Sequence, residues 1–375
     1  MSFTKSVFKN DEKAIFSLRD LYKKNGYSLY KVNKFEEYDL YARNKNFLVS
    51  SNILSFTDTD GKLLALKPDI TLSIVKNVSD ADNFTHKYCY NETVYRTSAD
   101  SDGFREIMQT GLECIGKVDL FLECEVVSLA LRSLYTISSD YLLDISHMGF
   151  VDGLLSEAHV DDGVRGEFIE IIKSKNIHAL DNLCEKYGIS NDMADRLRTI
   201  TQLYLPIAKA LPILKSIVVG EKMKAAYDKL VCVSAAMEAE GSPDKVFVDF
   251  SVVNDFNYYD GVCFKGFING IPDSVLSGGR YDKLLQKLGK RLEAIGFAVY
   301  LDRLERYNNE FEKYDVDVVL TYSENIDIAK VIETRNSFIE EGKSVLADIC
   351  PDPSLRYRQL IKLTEGGIEI LETND

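Results

Sequence analysis

Residues 86–116, HKYCYNETVYRTSADSDGFREIMQTGLECIG, decide the fold. Segment 86–97 is aromatic and β-branched, which predicts a strand. SADSDG is a polar loop, and REIMQTGLECIG predicts a second strand. A period of two puts Met108, Thr110, Leu112 and Cys114 on one side and Ile107, Gln109, Gly111, Glu113 and Ile115 on the other. Gln109 and Glu113 therefore share a face, about 13 Å apart along an extended chain. Alternation alone leaves two interpretations open. The face is the solvent side of an antiparallel strand, or it is the floor of a polar pocket in which Gly111 leaves room for a ligand.

Upstream, Ile15, Leu18, Leu21 and Tyr22 recur at helical spacing, and Gly26 supplies a stop. Asp60-Gly61 between two β-rich arms predicts a hairpin, and ITLSIVKNV after Pro68 a short helix. Downstream, the sequence from 118 to 240 reads as successive helices with few β-runs. Strand patterns return in VFVDFSVV and NYYDGVCFKGFI, followed by a glycine turn and helix in SGGRYDKLLQKLGK. From about 311 the order is strand, helix, strand and a β-rich end. The expected class is α+β: an antiparallel core from 1–116 and 245–310, a mainly helical insertion at 117–244, and a small α/β unit at 311–375.

The composition narrows the function. Of 375 residues, 45 are Lys or Arg and 59 are Asp or Glu, and a net charge of −14 argues against a general nucleic-acid binder. No stretch is long and apolar enough to span a membrane, and MSFTKSVFKNDEK lacks the apolar core of a secretory signal. The seven cysteines are scattered without a C-x-x-C pair, as expected of reduced thiols in a cytoplasmic protein. No two of the four histidines lie three or four apart, so no metal site is expected. GxGxxG, P-loop and G-x-S-x-G patterns are absent, and no cofactor is expected.

Four segments in order resemble the histidyl-tRNA synthetase family of class II synthetases, over roughly residues 5–310. ALKPDIT (65–71) resembles its L-R-P-E-x-T, with Lys67 at the arginine position. The resemblance implies that Asp69 and Thr71 hold the amino group of histidine, which suits an ammonium with three donors. TVYRTSADSDGFREIMQTGLECIG (93–116) resembles motif 2. Arg96 matches the arginine that grips the α-phosphate, and Gln109 and Glu113 match histidine-binding residues. VVNDFNYYDGVCF (252–264) resembles L-V-R-G-L-D-Y-Y-T-G, which implies that Tyr258 walls the pocket and Tyr259 bonds the imidazole. SGGRYDKLL and AIGFAVYLDRL resemble motif 3, with Arg303 at the arginine that stacks on adenine.

The departures are selective. Ser98 replaces an acid, Asn254 an arginine, Asp255 a glycine, Asn257 an acid and Tyr300 a glycine. Loss of one electrostatic group such as the arginine typically costs about 100- to 1000-fold in rate. Tyr300 is expected to obstruct the adenine pocket. The tail is shorter than the anticodon-binding domain of the family, so no tRNA partner is expected. A histidine pocket kept while the chemistry is lost resembles the regulatory subunit of ATP phosphoribosyltransferase. That resemblance implies a non-catalytic subunit that joins and activates a short catalytic subunit and carries feedback by L-histidine. It would form a homodimer within a hetero-oligomer. The expected ligand set is Asp69, Thr71, Arg96, Gln109, Glu113, Tyr258 and Tyr259, with no catalytic residue. The alternatives are a divergent histidyl-tRNA synthetase and a stand-alone histidine-sensing pseudo-synthetase.

Overall fold

The computed structural model describes residues 10–44, 53–81, 84–97, 103–252, 258–304 and 313–374. The chain divides into two compact units, Met1–Tyr307 and Asn308–Asp375.

In the first unit, α1 (Asn10–Lys24) buries Leu18 and Tyr22 and ends at Gly26, whose φ of +84° only glycine adopts easily. Then come β1 (Ser28–Leu29), β2 (Phe35–Glu37), α2 (Tyr38–Ala42), β3 (Ser55–Thr57), β4 (Leu63–Leu66) and α3 (Thr71–Val75). The long hairpin follows as β5 (His86–Thr97) and β6 (Phe104–Gly116). After it come α4 (Leu120–Ile137), β7 (Tyr141–His147), α5 (Met148–Glu157), α6 (Arg165–Ser174), α7 (Ile177–Lys186) and α8 (Asn191–Gln202). Next are β8 (Tyr204–Pro206), α9 (Ile207–Ile217), α10 (Gly220–Ala239), β9 (Val246–Asp249), β10 (Val262–Ile268), β11 (Leu276–Arg280), α11 (Asp282–Lys287) and β12 (Glu293–Tyr300). None of the described helices is long and apolar enough to cross a membrane.

The large sheet runs β1-β5-β6-β12-β11-β10-β7-β9-β8. It is antiparallel from β5 through β7. Among the described residues of this sheet, the parallel pairs are β1 with β5 and β7 with β9. The stretch 117–244, expected as a helical insertion, is in part sheet. β7 pairs with β10 along its whole length, β8 adds an edge, and α4 packs on β7, β10, β11 and β12. YLLDISH is a short apolar run between helical patterns, and periodicity cannot distinguish such a run from buried helix.

A three-stranded sheet, β2-β4-β3, is joined to the large one by a buried ion pair. Lys67 is 1% exposed, and its Nζ lies 2.5 Å from Glu92 Oε2 on β5. Glu92 Oε1 accepts from the Val32 amide at 3.0 Å. This link fixes the chain immediately before Pro68 and Asp69.

In the second unit, β13 (Val316–Tyr322), α12 (Ile328–Glu340), β14 (Val345–Asp348), β15 (Tyr357–Thr364) and β16 (Gly367–Thr373) form a sheet of order β14-β13-β15-β16. Its small core includes Val318, Leu320, Val331, Ile361 and Leu363.

Removing one partner of a buried ion pair strands the other charge. Glu92→Ala should therefore cost about 3 kcal/mol or more in denaturant unfolding. Lys67→Met combined with Glu92→Leu should recover most of that loss. A single-variant cost below about 1 kcal/mol, the value of an exposed pair, would refute this role.

Candidate functional site

The β6 strand is buried on both faces from Gln109 to Gly116, so the solvent-facing interpretation of Gln109 and Glu113 does not hold. Register places Gln109 between Glu92 and Tyr300, and Glu113 between Tyr88 and Gly296. Glu113 is 2% exposed. Its Oε1 accepts from Thr71 Oγ1 at 2.6 Å, and its Oε2 accepts from the Tyr281 hydroxyl. Gly296 makes room for it, because a Cβ there would overlap the carboxylate.

Gly111 serves a different purpose from the expected one. A Cβ at Gly111 would lie 2.6 Å from Tyr90 Oη and would collide with the Phe297 carbonyl. The space beside this glycine is taken by Tyr90 and by the neighbouring backbone rather than left for a ligand.

Asp69 stands at the start of α3, where its Oδ1 accepts from the Leu72 amide at 2.8 Å. Arg96 reaches it from β5, with Nη2 3.8 Å from Asp69 Oδ2, while Arg96 Nε donates to the Pro68 carbonyl at 2.7 Å. The arginine matched to a phosphate grip is thus engaged with segment 68–69. Tyr258 lies edge-on to Tyr259, with ring centroids 4.6 Å apart, and 5.8 Å from the Tyr281 ring. The Tyr259 ring lies over Gly279, where a Cβ would come within 2.7 Å of it. Asp260 ties this segment to the turn after β11 by accepting from the Asp282 and Lys283 amides at 3.2 and 2.9 Å.

The cluster is desolvated, and burial shifts its acidic groups. Burial raises Glu113 to about 8, against the opposing hydrogen bonds from Thr71 and Tyr281. Burial also raises Asp69, offset in part by Arg96. The Tyr258, Tyr259 and Tyr281 phenols are pushed well above their ordinary range by burial and by the nearby carboxylates. The Gln109 Nε2 amide is buried and has no hydrogen-bond partner among the described residues, an arrangement that costs about 1–3 kcal/mol unless a partner is supplied.

Asp69, Thr71, Glu113 and Tyr258 thus converge, with Arg96 against Asp69 and Tyr259 against Tyr258. Gln109 stands on the same face four residues before Glu113, near the middle of β6. Ser98, Asn254, Asp255 and Asn257 lie outside the described residues. Tyr281 was not among the expected ligand-binding residues. Its S-G-G-R-Y-D context marks a turn, but no local pattern reveals that its hydroxyl reaches Glu113. At the other end of the floor, the Arg303 guanidinium lies 4.5 Å above the Tyr300 ring, and the Tyr300 hydroxyl is 2.6 Å from Ser277 Oγ. Arg303 also donates to the Ser274 carbonyl. The arginine face matched to adenine stacking is covered by Tyr300.

Two stability effects follow. A carboxyl whose folded pKa is raised from 4.5 to about 8 weakens the fold as pH climbs through that window. Glu113→Gln should therefore melt above the parent at pH 8, by up to about 4 kcal/mol, and the gap should close toward pH 4. A pH-independent difference would refute the titration. Gly111→Ala should cost about 1–3 kcal/mol by overpacking, and an unchanged melting temperature would show that Tyr90 yields freely.

The family model for histidyl-tRNA synthetase matches residues 4–304. A relative from Oceanobacillus iheyensis, named ATP phosphoribosyltransferase regulatory subunit, is 27% identical over 282 residues, covering 74% of this chain and 69% of that protein. Among solved structures, an ATP phosphoribosyltransferase regulatory subunit/histidyl-tRNA synthetase from Bacillus halodurans has a TM-score of 0.77 at 23% identity, covering 96% of both chains. A chain of the ATP phosphoribosyl transferase complex from Thermotoga maritima has a TM-score of 0.62 at 21% identity, covering 78% of this chain and 97% of that one. At these identities the solved structures show the fold. The chain belongs to the histidyl-tRNA synthetase family and carries its class II architecture, an α+β antiparallel sheet flanked by helices.

Proposed function

We propose that this chain is the non-catalytic regulatory subunit of a cytoplasmic ATP phosphoribosyltransferase. It activates a short catalytic subunit and carries L-histidine feedback on the first step of L-histidine biosynthesis. The name of the Oceanobacillus relative supports the role, and so does the fold shared with a chain of the Thermotoga complex. The carrying observation is the contrast within one sheet face. Groups that suit histidine cluster around Glu113, while Tyr300 and Arg303 are committed to each other.

In this proposal Asp69 and Thr71 take the ammonium, and Gln109 serves the backbone end of the ligand with its unpartnered amide. Glu113 and Tyr259 bond the imidazole, with Tyr258 as the wall. Arg96 favours the ionised form of Asp69 against burial and orients it. Tyr281 and Thr71 hold Glu113, so an incoming imidazole shares an acceptor that is already fixed in place. Phosphoribosyl transfer belongs to the partner, and this chain assembles as a homodimer within the hetero-oligomer without tRNA or a cofactor. Feedback then follows from linkage. Histidine inhibits only as far as it binds one arrangement of the complex better than the other.

The purified, folded chain should show no histidine-dependent ATP–pyrophosphate exchange, and robust exchange would make it a synthetase instead. L-Histidine should bind it by calorimetry. In the complex, Glu113→Ala should raise the histidine concentration for half-inhibition by on the order of tenfold, through loss of a buried hydrogen bond to the imidazole. Feedback at unchanged sensitivity would remove the pocket assignment. Failure to co-purify with and stimulate a short ATP phosphoribosyltransferase would leave a histidine-binding protein with some other partner.

A further inference from the structure

The face that carries Gln109 and Glu113 does not stop at β12. Register carries it along one row, from Gly111 to Ala298, Ser277, Lys265 and Asp144. At the far end of this row the side chains are polar and incompletely paired. Asp144 is 6% exposed and its Oδ1 has no hydrogen-bond partner. Ser146, two residues on and pointing the same way, is fully buried with its hydroxyl unpartnered. Lys265, directly across the ladder from Asp144, is half-buried and makes no hydrogen bond or ion pair among the described residues. Burial holds its ammonium below the ordinary range.

The cluster carries charges of both signs. On the β7–β9 side stand Asp144 and Asp249, and both the Lys175 and the Lys265 ammonium favour the ionised form of Asp144. Lys175 Nζ lies 2.9 Å from Asp249 Oδ2, placed there by a left-handed backbone at φ +52°. On the β10 side burial disfavours the Lys265 charge most, Lys173 and Arg303 disfavour it further, and Asp249 and Cys263 favour it. Among the described residues, Asp144 Oδ1 and Ser146 Oγ therefore lack a donor, and the Lys265 ammonium lacks a hydrogen-bonded anion. Neighbouring strands lie about 5 Å apart, close to the reach of an α-amino acid.

We propose that Asp144, Ser146 and Lys265 form a second polar subsite, on the same sheet face as the Glu113 cluster, for the zwitterionic end of an α-amino acid. The ligand ammonium takes Asp144 Oδ1 and Ser146 Oγ, and its carboxylate takes Lys265. A metal cation would be opposed by Lys265, and a free phosphate by the two carboxylates. Asp144 Oδ1 and Ser146 Oγ are closed to solvent here, so binding includes a displacement of the half-buried Lys265 side chain. The subsite is independent of the histidine assignment, because none of its groups bonds a residue of that cluster.

The test is calorimetry and thermal shift of the full chain with the proteinogenic amino acids other than histidine, to millimolar concentration, with inorganic phosphate as the contrasting probe. At least one amino acid should bind. Lys265→Met and Ser146→Ala should each weaken that binding on the order of tenfold, while Glu113→Gln should leave it intact. Lys265→Met is expected to fold, since it removes a half-buried ammonium that makes no hydrogen bond or ion pair among the described residues. Four results overturn the proposal: no amino acid binds, phosphate alone binds, affinity is unchanged in Lys265→Met, or binding is lost in Glu113→Gln.

Discussion

The site depends on one carboxylate held where water does not reach. Glu113 lies inside β6 with a strand on either side, and its carboxyl oxygens are met by the Thr71 and Tyr281 hydroxyls. Several other features exist because of it. Gly296 lacks a side chain that would overlap it, Thr71 opens α3 with its hydroxyl aimed at it, and Tyr281 turns inward after β11. Its raised pKa is the energetic record of that arrangement, since burial outweighs the two hydrogen bonds.

Holding such a group requires that four distant stretches arrive together. The Lys67–Glu92 pair sets the chain ahead of Asp69 and Thr71. Asp260 locks the tyrosine pair to the turn that delivers Tyr281. Arg280 bonds Asp282, Glu123 and Glu293, tying the same turn to α4 and to the start of β12. These ionic and amide contacts hold the phenols edge-on and tilted at fixed distances. Pre-organisation of this kind reduces the ordering cost that a ligand would otherwise meet.

Much of this was legible along the chain. Alternation put Gln109 and Glu113 on one face, and the strand pair 86–116 forms the hairpin expected of it. Gly111 misled, because a glycine in a strand marks a close approach without saying what approaches, and here it is Tyr90. Strand β7 was missed because a seven-residue apolar run between helices has no period of its own. The roles of Tyr281 and Glu92 had no local signal, since both reach across partners far away in sequence.

By itself the sequence determined the class of the fold and the chemical identity of the candidate pocket residues, because strand period, turn residues and side-chain type are local properties. Only the tertiary structure decided which of those groups are already engaged. Arg96 is committed to Pro68 and Asp69, Tyr300 to Arg303 and Ser277, and Glu113 to Thr71 and Tyr281, while Gln109, Asp144 and Ser146 keep unpartnered atoms. The reason is physical. Hydrogen-bond saturation and desolvation are set by whatever lies within a few ångströms in space, and in a nine-stranded sheet most of those neighbours are far away along the chain.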